Sequence, residues 1–140
     1  MRKENRRVKF NYLILEKFEA GIVLEGGEVK SIKTGQIDIN TAHIRIIDGE
    51  AYLINASIPV AGKKNYSPTR TRKLLLHKNE LVSIQVKIKA KKLTLVPVSV
   101  YTKGRLVKVK VALAKAKRKF EKKDKIKKRD IERDIERELK

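Results

Sequence analysis

Two runs rich in β-branched and aromatic residues, His43-Ile44-Arg45-Ile46-Ile47 and Glu50-Ala51-Tyr52-Leu53-Ile54, are separated only by Asp48-Gly49. A two-residue loop between such runs needs positive φ at both central positions, and Asp-Gly is among the few pairs that accept it. The spacing therefore predicts a type I′ hairpin. A hairpin commits its two strands to antiparallel pairing, and the elements around it have to extend an antiparallel sheet.

The rest of the first 111 residues supplies such elements. Tyr12 to Leu24 reads as a strand, with Gly21 as the expected bulge or bend, and Gly26-Gly27 punctuates it. Glu28 to Lys33 fits one or two helical turns, with its acid at the N-terminus and Gly35 as the stop. Residues 59–71, with Pro59, Gly62, Asn65 and Pro68, have no periodicity and read as a basic loop, functional or simply solvated. Arg72 to Leu76 reads as a short strand. Leu81, Ile84 and Ile88 recur at helical spacing, with Glu80 early and Lys87, Lys89, Lys91 and Lys92 late, which predicts a helix from about Lys78 to Lys91. Leu93–Tyr101 and Leu106–Leu113 read as two further strands around Thr102-Lys103-Gly104. Lys108 and Lys110 alternate with Val107, Val109 and Val111, so one face is apolar and the other cationic. Pro97 marks an edge or an irregularity. Short strands with turn signals and interposed helices predict a mainly β fold, a small antiparallel barrel of the oligonucleotide-binding type. Periodicity does not report whether such a barrel closes.

Charge is the second constraint. The chain holds 36 Lys+Arg against 16 Asp+Glu, a net +20 over 140 residues. Residues 115–129 contain ten bases and two acids, whereas 130–140 contain five acids and three bases. The tail is thus about +6 and the preceding residues about +14, which predicts two anion-binding surfaces rather than one. The division expected is an RNA-binding domain over 1–114 and a basic tail over 115–140, disordered or partly helical when free and helical when bound. In that tail Ile131, Ile135 and Leu139 would form one row of a helix, within the imperfect repeat Arg129-Asp130-Ile131-Glu132, Arg133-Asp134-Ile135-Glu136.

No catalytic constellation accompanies this charge. The chain has no Cys, which excludes disulfides, thiol nucleophiles and Cys-ligated metal and fits a reducing cytosol. His43 and His77 stand apart from one another, and Gly26-Gly27 lacks phosphate-loop spacing. Nothing resembles an export signal or a membrane-spanning run. The expectation is a cytoplasmic, monomeric, non-enzymatic RNA-binding protein without cofactor, metal or membrane partner. Aromatics among bases, Phe10, Tyr66 and Phe120, are candidate stacking groups, whereas Tyr12, Phe18, Tyr52 and Tyr101 read as core. On composition alone, a ribosomal protein with an extension threaded through rRNA fits equally well.

Ordered blocks narrow the choice. Phe18-Glu19-Ala20-Gly21-Ile22-Val23-Leu24 with Glu28-Val29-Lys30-Ser31-Ile32-Lys33-Thr34-Gly35 resembles the EAG(I/L)xLxGxEVKSLRxG signature of the small protein B family, the tmRNA-binding proteins of bacterial trans-translation. Pro68-Thr69-Arg70-Thr71-Arg72-Lys73-Leu74-Leu75-Leu76-His77 resembles its PxRxRKLLLH block. Lys108-Val109-Lys110, Leu113-Ala114-Lys115-Ala116-Lys117 and Glu121-Lys122-Lys123 fall where the family has KVK, LA(R/K)GK and DKR. The resemblance implies an oligonucleotide-binding barrel that holds the tRNA-like domain of tmRNA, delivers it to ribosomes stalled without a stop codon, and sends its tail into the empty mRNA channel. It implies tmRNA contacts at Asn5, Glu19, Leu75 and Lys108. It also implies ribosomal contacts in the decoding centre at Lys115, Lys117, Phe120, Glu121, Lys122 and Lys123. The residues themselves support Lys108 as a phosphate partner. They leave Leu75 open between an exposed contact and core packing, and Glu19 between base amino groups and a structural salt bridge. Departures from the family pattern are Phe10 for a His, Lys92 for a helix-stopping Gly, and Ala116 for a Gly.

Overall fold

Asp48 and Gly49 adopt φ of 50° and 75°, the left-handed pair that a type I′ turn requires. They join β3 (His43–Ile47) to β4 (Glu50–Ile54) in register, with Ile47 opposite Glu50 and His43 opposite Ile54. A computed structural model of the chain describes residues 1–117, and there the hairpin lies at one end of a seven-stranded antiparallel sheet. The other strands are β1 (Arg2–Glu4), β2 (Tyr12–Ile22), β5 (Arg72–Leu75), β6 (Thr94–Lys103) and β7 (Leu106–Ala116), ordered β1-β6-β7-β2-β5-β4-β3. The mainly β class is as expected, but the ladder stays open. β1 and β3 are its two edges, and no pairing among the described residues links them.

Two strand expectations shift. The irregularity of β2 falls between Ile14 and Glu16, not at Gly21, and β2 ends at Ile22. Gly21 is instead a point of close approach: a Cβ there would stand 3.3 Å from Leu75 Cβ. β7 continues past Leu113 through Ala116, so Lys115 pairs with Leu13 inside the sheet. Pro97 lies in a central strand at a register shift between Pro97 and Ser99, which is how a residue without an N–H is accommodated there.

Two short N-terminal elements have no signal in the periodicity, β1 and the helix α1 (Arg6–Asn11). Each has a tertiary cause. β1 pairs with the end of β6, and α1 seals a small cluster of Val8, Val96, Val98, Ala112 and Ala114. That cover explains why the alternation of β6 and β7 is lost where both faces are buried and kept around Lys108 and Lys110, where the outer face is open.

The inner face of the sheet packs against α2 (Gly26–Lys33) and α3 (Lys78–Lys91) around Ile32, Leu53, Leu74, Leu81, Ile84, Val100 and Val109. α3 matches its predicted span. Its start is closed by the Glu80 carboxylate, which accepts from the His77 N–H at 3.2 Å. Its end is Lys92, in the left-handed region at φ 51°, ψ 47°.

The loop 59–71 is held by an ion cluster. Glu28 and Arg72 are fully buried, and Arg72 donates to Glu28 through Nε at 2.8 Å and Nη2 at 2.6 Å. Arg70 adds an ion pair, and the Tyr66 hydroxyl lies 2.9 Å from Glu28 Oε2. Burial pushes the Glu28 carboxyl up, but Arg70, the Glu25 N–H, Arg72 and Tyr66 outweigh it and hold it down at about 2.

Candidate nucleic-acid interface

Residues directly opposite in an antiparallel ladder project to the same face, so register alone assembles a surface. Gly21 of β2 stands opposite Lys108 of β7 on one side and Leu75 of β5 on the other. Glu19, two residues before Gly21, stands opposite Lys110. Lys108 in turn faces Tyr101 of β6, and Tyr101 faces Arg2 of β1. One outer surface thus runs from Arg2 through Tyr101, Lys108 and Lys110 to Glu19 and Leu75.

Its electrostatics centre on Glu19. The Tyr101 hydroxyl donates to the Glu19 carboxylate, and Lys103 Nζ lies 3.4 Å from it. The Tyr101 bond is the leading cause that lowers the Glu19 pKa, opposed by burial and aided by Lys103 and Lys108. Burial first, and then the bond to Glu19, pushes the Tyr101 phenol up to about 12. The Tyr101 ring is itself covered, with Arg2 Cζ 4.8 Å and Lys110 Nζ 5.8 Å from its centroid. It organises cations instead of offering a free stacking face. Lys108 makes no ion pair among the described residues, although its charge helps to lower the Glu19 pKa. Beside it, Leu75 is 52% exposed and borders a cleft of about 370 Å³ with Gly21, Leu24, Arg105, Leu106 and Lys108. A cationic rim next to an apolar cleft suits an RNA backbone with a sugar or base edge against it.

The structure brings together Glu19, Leu75 and Lys108. Asn5 lies apart from them. It is fully buried; its Nδ2 donates to the Ile39 and Pro97 carbonyls at 2.9 and 3.0 Å, and its Oδ1 accepts from the Val8 N–H that opens α1. Lys115 and Lys117 are at the opposite end of β7 from Lys108, where the Lys117 N–H donates to the Asn11 carbonyl at 2.8 Å. Phe120, Glu121, Lys122 and Lys123 lie outside the described residues.

The core reading of Tyr101 holds, since it is only 7% exposed, but sequence reasoning passed over its hydroxyl bond to Glu19 and the partners Arg2 and Lys103, because the β1 pairing and these long-range contacts are not encoded locally. Tyr66, grouped with the stacking candidates, has its hydroxyl committed to the Glu28 cluster. No group of His, Asp or Glu among the described residues is arranged to hold a metal, and no described helix is long and apolar enough to cross a membrane.

Comparison with known proteins points one way. A family model described as "SmpB protein" matches residues 2–140. An SsrA-binding protein of Sulfurihydrogenibium sp. (strain YO3AOP1) is 47% identical over 97% of this chain and 91% of its own length. One from Persephonella marina (strain DSM 14350 / EX-H1) is 44% identical over the same shares. A solved chain described under "tmRNA-SmpB: a journey to the center of the bacterial ribosome" superposes with a TM-score of 0.67 at 45% identity, over 84% of this chain and 85% of that one.

Proposed function

The chain belongs to the SmpB family, and from that premise we propose that it is an RNA-binding adaptor that holds the tRNA-like domain of tmRNA and delivers it to stalled ribosomes for trans-translation. The observation that carries the reading is the convergence of Glu19, Leu75 and Lys108 around Gly21. Lys108 takes a backbone phosphate, with Arg2, Lys103 and Lys110 supplying the surrounding positive field. Binding releases counterions from the RNA, which makes the affinity salt-dependent. Glu19 does not meet phosphate. It fixes Tyr101 and through it the cations that lie over the ring, and its outer oxygen edge accepts from base amino groups. Leu75 covers an apolar sugar or base edge. Asn5 acts through the scaffold, tying α1 to β6, and does not itself touch RNA.

The basic run from Lys115 follows a second RNA path, the mRNA channel of the ribosome, with Phe120 for stacking and Lys117, Lys122 and Lys123 for phosphate. Glu121 is the acid within that run. This is positioning work, so the protein is an adaptor and not an enzyme, and it acts in the cytoplasm, where ribosomes translate.

Recovery of the protein from a cell extract, followed by identification of the co-purifying RNA, tests the reading. The expected result is enrichment of tmRNA over bulk tRNA and rRNA, reduced in Lys108→Ala. Recovery in fixed proportion with every ribosome and no tmRNA enrichment would show a constitutive ribosomal component instead.

A further inference from the structure

Tyr101 projects to the outer face of the sheet, since Val100 beside it packs into the core, yet it is buried. What covers it is charged: Arg2 from β1, Lys110 from β7 and Glu19 from β2. β7 stands between β6 and β2, so two ladder spacings, about 10 Å, separate the backbones that carry Tyr101 and Glu19. The tyrosine side chain reaches across β7 and brings its hydroxyl to the carboxylate.

Glu19 is thereby held at both oxygens. Oε2 accepts from the Tyr101 hydroxyl, and Oε1 lies 3.4 Å from Lys103 Nζ. The two partners are unequal. Lys103 is long and 67% exposed, and an ion pair of that kind fixes little. Tyr101 is buried and has only two side-chain torsions, so its hydroxyl is the firmer hold. A carboxylate has about four acceptor sites, two of which are taken here. The Glu19 side chain keeps 33% exposure, which leaves acceptor capacity at the surface. On a face otherwise set with Arg2, Lys103, Lys108 and Lys110, an oriented acid repels a phosphate and welcomes an N–H donor.

We propose, on the reading of the outer sheet face as the RNA surface, that Tyr101 is the positioning residue that makes this face selective. Its hydroxyl fixes the Glu19 carboxylate so that it accepts from a base amino group in looped RNA and turns away a continuous phosphate backbone. Its ring carries Arg2 and Lys110, which supply attraction to any RNA. Hydroxyl and ring thus serve separable ends, the choice of RNA and the strength of binding. Tyr101 itself touches no RNA.

The test measures the affinity of the full-length protein for two RNAs over a range of salt: the tRNA-like domain of tmRNA and a plain RNA duplex of equal length. Tyr101→Phe removes the hydroxyl and keeps the ring. It should bind the tRNA-like RNA about three- to tenfold more weakly, with duplex affinity and salt slope unchanged. Glu19→Gln should weaken the tRNA-like RNA and tighten the duplex. Tyr101→Phe added to Glu19→Gln should cost less than it costs alone, since both remove one arrangement. Arg2→Ala should weaken both RNAs alike and lower the salt slope by about 1. Wild-type affinity and selectivity in Tyr101→Phe would overturn the proposal. So would an equal loss for both RNAs, which a merely structural role gives, or a loss that adds in full to that of Glu19→Gln. Lys108→Ala tells the two levels apart. Wild-type affinity in that variant would overturn the RNA face itself, whereas a loss there without one in Tyr101→Phe would overturn only the positioning role.

Discussion

Glu28 shows how far a residue's role can lie from its local sequence. Beside Gly26-Gly27 it reads as an acid placed for the helix dipole, and it does occupy the first turn of α2, where its Oε1 accepts from the Glu25 N–H at 2.9 Å. Its main partners, Arg70 and Arg72, are 42 and 44 residues away, so no local pattern announces them. Glu28→Gln leaves a buried guanidinium partly unpaired and should cost about 3–5 kcal/mol. The pH dependence has a definite sign. The folded carboxyl sits at about 2 against an ordinary 4.5, so its contribution is complete above about pH 4.5 and is lost as pH falls towards 2. Acid titrations of stability for the wild type and Glu28→Gln should converge over that window. Curves that stay parallel would mean that Glu28 is not the paired carboxylate described. Lys108 is the opposite case: its alternation with valines made its face readable, because period two is a local property.

At the scale of elements, the strongest local signals gave the most faithful predictions. The Asp-Gly turn, α3 over Lys78–Lys91 and the β6–β7 hairpin follow from turn chemistry and periodicity. What was illegible depended on tertiary cover. β1 and α1 exist because β6 offers an edge and Val96, Val98, Ala112 and Ala114 need a lid. The sheet's failure to close is likewise a matter of how far β3 and β1 are brought together, which no strand encodes. Lys92 supplies an element-scale prediction. A side chain in the left-handed region costs about 1–2 kcal/mol, and glycine returns part of that relief through the unfolded chain, so Lys92→Gly should stabilise by about 0.5–1 kcal/mol. Thermal unfolding should show a rise of about 2–4 °C, and an unchanged or lower midpoint would mean that Lys92 contributes a contact there.

For the whole molecule, the net +20 divides between a folded surface and a tail, and the two are expected to act on different partners. The described strand β7 refines that division, because Lys115 and Ala116 are paired into the sheet and Lys117 is tied to Asn11. A truncation meant to isolate the folded part should therefore begin at residue 118, beyond those contacts. The candidate site was legible in its charge and in the Lys108 alternation. The Arg2–Tyr101–Glu19 chain beside it was not, since it joins Tyr101 of β6 to Arg2 of β1 and Glu19 of β2, both 82 residues or more earlier in the chain.

The central claim is that the sheet face around Gly21, and not the tail, holds the tRNA-like RNA. The most direct test is the affinity of that RNA domain as a function of salt for three proteins: the wild type, Lys108→Ala and the chain ending at Lys117. Lys108→Ala should bind more weakly and reduce the slope of log affinity against log salt by about 1. The truncated chain should keep near wild-type affinity at moderate salt and lose activity only on stalled ribosomes. Wild-type affinity in Lys108→Ala together with loss of RNA binding in the truncated chain would contradict the account.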